Sequence, residues 1–179
     1  MKAPEYLETK RLILRRPLPS DAEALFHRYT SDPEVTRYLS WPRHQFIEQT
    51  RIFIKFSDDS WEYWPVGPYV IESRNTGLIM GGTGFDFENK FDSSVGYVLA
   101  RDSWNQGYAT EALMAIADIA LQIGLRRLFA YCHPEHQASF RVLEKCGFML
   151  KTTFKNRFIF PNLSGNSASE VQCYLRIFS

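Results

Sequence analysis

Trp104-Asn105-Gln106-Gly107-Tyr108-Ala109-Thr110-Glu111 decides the fold of this chain, because the stretches on either side of it follow different periods. Before it, Val95-Gly96-Tyr97-Val98-Leu99-Ala100 is apolar, β-branched and aromatic, which predicts a buried strand. After it, apolar residues recur at Ala109, Ala112, Leu113, Ile116, Ala120 and Ile123, the spacing of one helix face, and Gly124 is a stop signal. A strand, a short glycine-bearing loop and a helix therefore follow one another. The first N–H groups of a helix have no internal partner and sit in the positive end of its dipole. Gly107 and the small Ala109 let a ligand approach the main chain, which makes an anion site suited to phosphate or pyrophosphate. A single glycine before a helix serves equally as an ordinary connection. The loop lacks the further glycines of a dinucleotide fingerprint and the Gly-Lys-Ser/Thr of a P-loop.

A second stretch narrows the choice. Arg127 to Cys132 predicts another strand, and His133-Pro134 to Gly147-Phe148 predicts a helix with Pro134 early and Gly147 closing it. The order strand, Trp-x-x-Gly-Tyr-Ala-Thr-Glu-Ala, helix, strand, then x-Pro-Glu-x-x-Ala-Ser-x-Arg-Val-Leu-Glu-Lys-x-Gly-Phe resembles the GNAT acyl-CoA N-acyltransferases. It is most similar to the RimJ/RimL branch, which acetylates protein N-termini, including those of ribosomal proteins. The opening Thr9-Lys10-Arg11-Leu12-Ile13-Leu14-Arg15 and Asp32-Pro33-Glu34-Val35-Thr36-Arg37-Tyr38-Leu39 resemble the same branch.

The resemblance implies a mixed, mostly antiparallel α/β sheet of about seven strands, splayed at its centre, with about four helices. It implies acetyl-CoA as co-substrate and direct attack by a free amine in a ternary complex. Pantetheine would pair with the main chain of Val98, Leu99 and Ala100, and pyrophosphate would sit on the amides of Gln106, Gly107, Tyr108, Ala109 and Thr110. The usual Gly-Lys-Gly is Asn105-Gln106-Gly107 here, which removes one flexible position and one cation. An N–H near Leu99 is the natural oxyanion donor. Ser139 matches the family's Ala-Ser-x-Arg serine and is the expected acid, or hydrogen-bond donor, to the departing thiolate. His136 stands where the family usually has a cofactor-contacting Asn, and an exposed histidine there titrates near pH 6.5. The family's strand glutamate, which helps deprotonate the amine, is Ser94 here. Asp92 lies two residues earlier on the same strand face and is the substitute base, with bound water as the alternative. Glu72, Asp86 and Glu170 are the other candidates for that base, each read first as a solvated charge.

At 179 residues the chain is expected to be one domain, residues 1–179. A net charge of +1 gives no polyanion surface, so no nucleic-acid partner is expected. Cys132, Cys146 and Cys173 have no zinc-type spacing, so no metal is expected, and they read as reduced, buried and catalytically idle. No apolar run approaches membrane length and the N-terminal residues lack an apolar signal core, which predicts a cytoplasmic protein with no membrane contact. The sequon Asn162-Leu163-Ser164 is coincidental there. Arg11–Arg15, Tyr69–Ser73, Leu78–Phe85, Met149–Phe160 and Val171–Phe178 are further strands, the last two joined by a polar loop over 161–170. Gly81, Gly82 and Gly84 predict a bulge or a close backbone approach. Ser20 with Glu23 predicts a capping box. A helix from about Arg43 to Phe56 turns Phe46, Ile47, Phe53 and Ile54 inward, and Trp41, Trp61 and Trp64 flank it as core or as an acceptor wall.

Three functions fit these motifs. The first is acetyl transfer to a protein or peptide N-terminal amine. The second is acetyl transfer to a small amine such as an aminoglycoside or polyamine. The third is non-catalytic acyl-CoA binding, which the serine at position 94 keeps open. Either a monomer or a homodimer is compatible with all three.

Overall fold

The computed structural model describes residues 2–163 and 168–178. Its strands are β1 (Tyr6–Glu8), β2 (Leu12–Arg15), β3 (Tyr69–Ser73), β4 (Ile79–Phe87), β5 (Asp92–Leu99), β6 (Arg127–Cys132), β7 (Met149–Phe158) and β8 (Ser169–Ile177). They form one sheet in the order β1-β2-β3-β4-β5-β6-β8-β7. Every neighbouring pair is antiparallel except β5 and β6. The helices are α1 (Ala22–Leu25, continued by a π-type turn over Phe26–Thr30), α2 (Pro33–Thr36), α3 (Ile47–Tyr63), α4 (Tyr108–Gln122) and α5 (Gln137–Lys145). The extra strand relative to expectation is β1, three residues long with two of them exposed, too short to carry a period.

Alternation along the strands assigns the two faces. Ile71 and Leu99 join the core under α4 and α5, while their neighbours Val70 and Ala100 pack beneath α1 and α3. On α4, Ala112, Leu113, Ile116 and Ala120 are fully buried, matching the predicted stripe. Each large side chain among them contributes on the order of 1.5–3 kcal/mol.

The helix expected over 43–56 is displaced. Its start is fixed by Gln49, whose Oε1 accepts from the N–H groups of Gln45 (2.6 Å) and Phe46 (3.2 Å). It runs on to Tyr63 because Trp61, 2% exposed, adds a buried turn and bonds the Pro68 carbonyl through Nε1 at 2.9 Å. The buried line is Thr50, Ile54, Ser57 and Trp61, whereas Phe46 is 68% exposed. The Ser20 capping box does not form. Asp21 performs that task, accepting from Leu18 N–H at 2.7 Å and from the Arg15 guanidinium at 2.8 and 2.9 Å. α5 begins three residues after Pro134, because a turn closed by His136 N–H to His133 O (2.9 Å) intervenes. The close approach expected at the β4 glycines is present, since a Cβ on Gly81 would lie 2.0 Å from the Val98 carbonyl oxygen. Within the polar loop expected over 161–170, residues 164–167 lie outside the described residues, and with them the serine of the sequon. Asn162 is held by the main chain of Thr36, Trp41 and Arg43 at 2.7–2.9 Å. Among the described residues no helix is long and apolar enough to cross a membrane.

Candidate active site

The parallel pair β5/β6 is registered only at Asp92↔Arg127, Ser93↔Leu128 and Ser94↔Phe129. Beyond Ser94 the two strands separate, so the sheet opens in a V. Asp92 closes its apex. Both carboxylate oxygens accept from the Arg127 guanidinium, the Nε contact at 2.7 Å, and Asn89 Nδ2 donates at 2.8 Å. Asp92 is 4% exposed, and Arg127 beside it holds its carboxyl below the usual carboxylate range. Its oxygens are committed and its side chain lies outside the cavity described below, so Asp92 clasps β5 to β6.

The open arm of the V presents main-chain groups. Strand residues point their N–H and C=O alternately to either side. Ala100 N–H donates to Met80 O at 2.8 Å, on the β4 side, and Val98 is registered with Gly82 on that side too. Leu99 and Tyr97 therefore face the gap. Of the three residues expected to pair with pantetheine, Leu99 alone is so directed. Its carbonyl accepts from Trp104 Nε1 at 2.7 Å, and its N–H is left toward the opening.

At the top of the gap Gly107 has φ +80° and caps α4, with Asn105 also left-handed at φ +59°. This turn aims the first N–H groups of α4, from Tyr108 to Thr110, out of the helix. Arg11 braces it. Its Nη1 donates to Gln106 O at 2.9 Å, its Nε to Glu111 at 2.6 Å, and its guanidinium lies 4.3 Å from the centre of the Tyr108 ring. Burial would raise the Glu111 pKa, but bonds from Thr9 and Arg11 bring it down and keep it ionised. Arg11 thus brings a cation to the loop that lacks the family's lysine.

Between the arms lies a cavity of about 750 Å³. Gly82, Gly84 and Gly96 form part of its floor, and a Cβ on Gly96 would meet nothing within 4 Å. Ser139, 6% exposed at the start of α5, looks into it. Its Oγ lies 2.8 Å from the Tyr97 hydroxyl and 3.3 Å from Cys132 Sγ. Burial raises the Tyr97 pKa well above the ordinary phenol value and pushes the Cys132 thiol up to about 11. Both neighbours are therefore protonated at neutral pH. A splayed parallel pair, an anion-binding helix start and a buried serine meet at one cavity.

A family model described as an acetyltransferase (GNAT) domain matches residues 11–149. The chain is a member of the GNAT acetyltransferases. The protein named "Uncharacterized N-acetyltransferase p20" from Bacillus licheniformis is 31% identical over 147 residues, 80% of this chain and 82% of that one. A GNAT-family acetyltransferase structure from Bacillus anthracis superposes with a TM-score of 0.82 at 26% identity, covering 96% of this chain and 98% of that one. The structure of RimL, a ribosomal L7/L12 α-N-protein acetyltransferase in complex with coenzyme A, gives a TM-score of 0.84 at 22% identity over 97% and 98% of the two chains. The donor of this GNAT acetyltransferase is acetyl-CoA, and among the described residues no cluster of His, Cys, Asp or Glu could hold a metal.

In this GNAT acetyltransferase His136 is only partly exposed, tilted 5.0 Å from Tyr38, while Tyr38 stacks on His133 at 4.9 Å. Burial, assisted by His133, pushes the His136 pKa down to about 4. The side chain is neutral where an exposed imidazole would titrate, and so stays as uncharged as the Asn it replaces. All three cysteines are buried, and none of them forms a disulfide among the described residues. Sequence reasoning missed Tyr97, whose signal was its odd register with Leu99, and Arg11, which no local pattern ties to a loop 95 residues away.

Proposed function

We propose that this acetyltransferase acetylates the α-amine of a protein or peptide N-terminus. The observation that carries the reading is the make-up of the acceptor half of the cavity. Tyr38, Trp41, Phe53, Phe56, Phe158 and Phe160 give it flat aromatic walls, and its acidic lining among the described residues is limited to Asp86 and Glu88. Glu88 is already engaged by the Tyr131 hydroxyl at 2.8 Å. A polyamine or aminoglycoside needs several carboxylates to desolvate its charges, whereas one amine on an extended, partly apolar chain needs little more than one. The likeness to a structure named as an α-N-protein acetyltransferase supports the same acceptor.

The residues divide the work in this reading. The amides from Gln106 to Thr110, with the Arg11 guanidinium beside them, hold the pyrophosphate. The Leu99 N–H receives the negative charge that grows on the thioester oxygen as the amine attacks, a contribution of about 10²- to 10³-fold for one such donor. Ser139 donates its Oγ–H to the departing sulfur. Tyr97, kept protonated by burial, donates to Ser139 Oγ and leaves the serine proton for the thiolate. His136 at the head of α5 offers a neutral ring to the donor.

A thiol-release assay with acetyl-CoA against short peptides, an aminoglycoside and a polyamine tests the acceptor. Turnover with free-N-terminus peptides and loss of it on blocking that terminus are expected. Turnover confined to the small amines would transfer the assignment to them.

A further inference from the structure

We infer that Asp86 is the general base of this enzyme, taking over from across the strand pair the task that Ser94 cannot perform; this rests on the acetyl-transfer reading of the cavity. Asp86 on β4 is registered directly opposite Ser94 on β5. The two belong to the even-numbered series that includes Glu88 and Asp92, joined by Glu88 N–H to Asp92 O (3.0 Å), and Met80 and Ala100. They are thus a hydrogen-bonded pair with Cα atoms about 5.5 Å apart and side chains on the same face. That face is the cavity floor, where Gly84 and Gly96 are the next pair toward Leu99. A carboxylate moved from position 94 to position 86 therefore shifts by one strand and keeps its direction.

Asp92, Glu72, Glu88 and Glu135 are committed elsewhere, and Glu170 does not line the cavity. Asp92 is clasped by Arg127 and Asn89, and Glu72 accepts from Arg15 Nε at 2.7 Å. Glu88 takes the Tyr131 hydroxyl, and Glu135 takes that of Tyr38 at 3.1 Å. Asp86 is exposed to the cavity, and among the described residues its carboxylate has no ion-pair partner. Its main chain is fixed, because Ser93 Oγ donates to the Asp86 carbonyl at 2.8 Å.

The chemistry balances on these groups. The amine nitrogen uses its lone pair to form the N–C bond with the thioester carbon. The C–S bond breaks, and its electron pair leaves with the sulfur, which accepts the Ser139 hydrogen bond. The proton shed by nitrogen passes to the Asp86 carboxylate, directly or through a water shared with the Ser94 hydroxyl, and from there to solvent. The Ser94 hydroxyl, registered opposite, can hold that water.

The experiment compares wild type with Asp86→Asn, Ser94→Glu and the double variant by thiol release, using one free-N-terminus peptide and one small amine over pH 6.5–9. Asp86→Asn should lower kcat roughly 10²-fold near pH 7 with acetyl-CoA affinity unchanged. The loss should shrink toward pH 9, where an amine of pKa about 8 arrives already neutral. Ser94→Glu should restore most of the activity in the Asp86→Asn background. A raised acceptor KM with unchanged kcat would make Asp86 an ammonium holder and overturn the inference, as would wild-type turnover or a loss that position 94 cannot rescue. Wild type active on the small amine alone sinks the peptide reading, while the Asp86 comparison on that amine still decides the base. Inactivity toward both amines overturns both.

Discussion

Tyr97→Phe removes one oxygen atom, and the structure sets how much that oxygen is worth. The hydroxyl lies 2.8 Å from Ser139 Oγ and 3.3 Å from the Ser139 carbonyl oxygen. Between neutral partners such a bond nets about 1 kcal/mol, and with a charged partner about 1.5–3 kcal/mol. In the ground state Ser139 is neutral. As the thiolate departs and draws on the serine proton, Oγ gains negative character and the Tyr97 bond moves from the first range toward the second. The difference, about 1–1.5 kcal/mol, is a fall of about five- to tenfold in kcat. The KM for acetyl-CoA should hardly change, because the gain exists only in the transition state. Steady-state thiol release on wild type, Tyr97→Phe, Ser139→Ala and the double variant measures the coupling. Ser139→Ala should cost more than Tyr97→Phe, and adding Tyr97→Phe to it should cost almost nothing further. Fully multiplicative losses would falsify the relay from Tyr97 through Ser139.

Other residues give equally definite expectations. Gly107→Pro cannot adopt φ +80°, so the loop should distort and calorimetry should find CoA binding lost in a protein that still folds; unchanged affinity would move the pyrophosphate elsewhere. Asp92→Asn should lower the urea midpoint while leaving kcat within a few-fold of wild type, since the carboxylate clasps β5 to β6. The Asp92 contribution, from a depressed folded-state pKa, is present above about pH 4 and lost as pH falls further; a 10²-fold kcat loss with unchanged stability would restore Asp92 as the base. His136 has a folded-state pKa of about 4 against about 6.5 unfolded, so the unfolded chain binds the proton first. Stability should therefore decline as pH drops from about 6.5 to 4, by up to about 3 kcal/mol, and His136→Gln should flatten that decline in urea titrations. Parallel declines in both proteins would place the proton uptake at another group.

The parts legible in the sequence were those written in local patterns. The Trp104–Glu111 turn and the α4 stripe needed only period and one glycine, and Ser139 was singled out by the family resemblance of its neighbours in one helix. What escaped was written across the fold. Arg11 and Gln106 are 95 positions apart, and their meeting depends on β2 lying beside the head of α4. Asp92 and Asp86 look alike as acids flanking Ser94. Only the strand register shows that one is locked by Arg127 at the apex of the V while the other stands opposite Ser94 on the cavity floor. The pKa of His136 depends on Tyr38 and His133 closing over it, which no spacing rule contains. Of the four residues expected inward on α3 only Ile54 joins the buried line, whose other members are Thr50, Ser57 and Trp61, while Phe53 and Phe56 line the cavity.

The most direct test of the central claim is a crystal structure with acetyl-CoA and an unreactive peptide whose N-terminus carries a hydroxyl in place of the amine. The account predicts pyrophosphate oxygens on the amides of Gln106 to Thr110, the thioester oxygen on the Leu99 N–H, and the sulfur within hydrogen-bond reach of Ser139 Oγ. The peptide hydroxyl should lie on the Gly96 floor toward Asp86. A donor bound outside the β5/β6 gap, or a sulfur remote from Ser139, would contradict it.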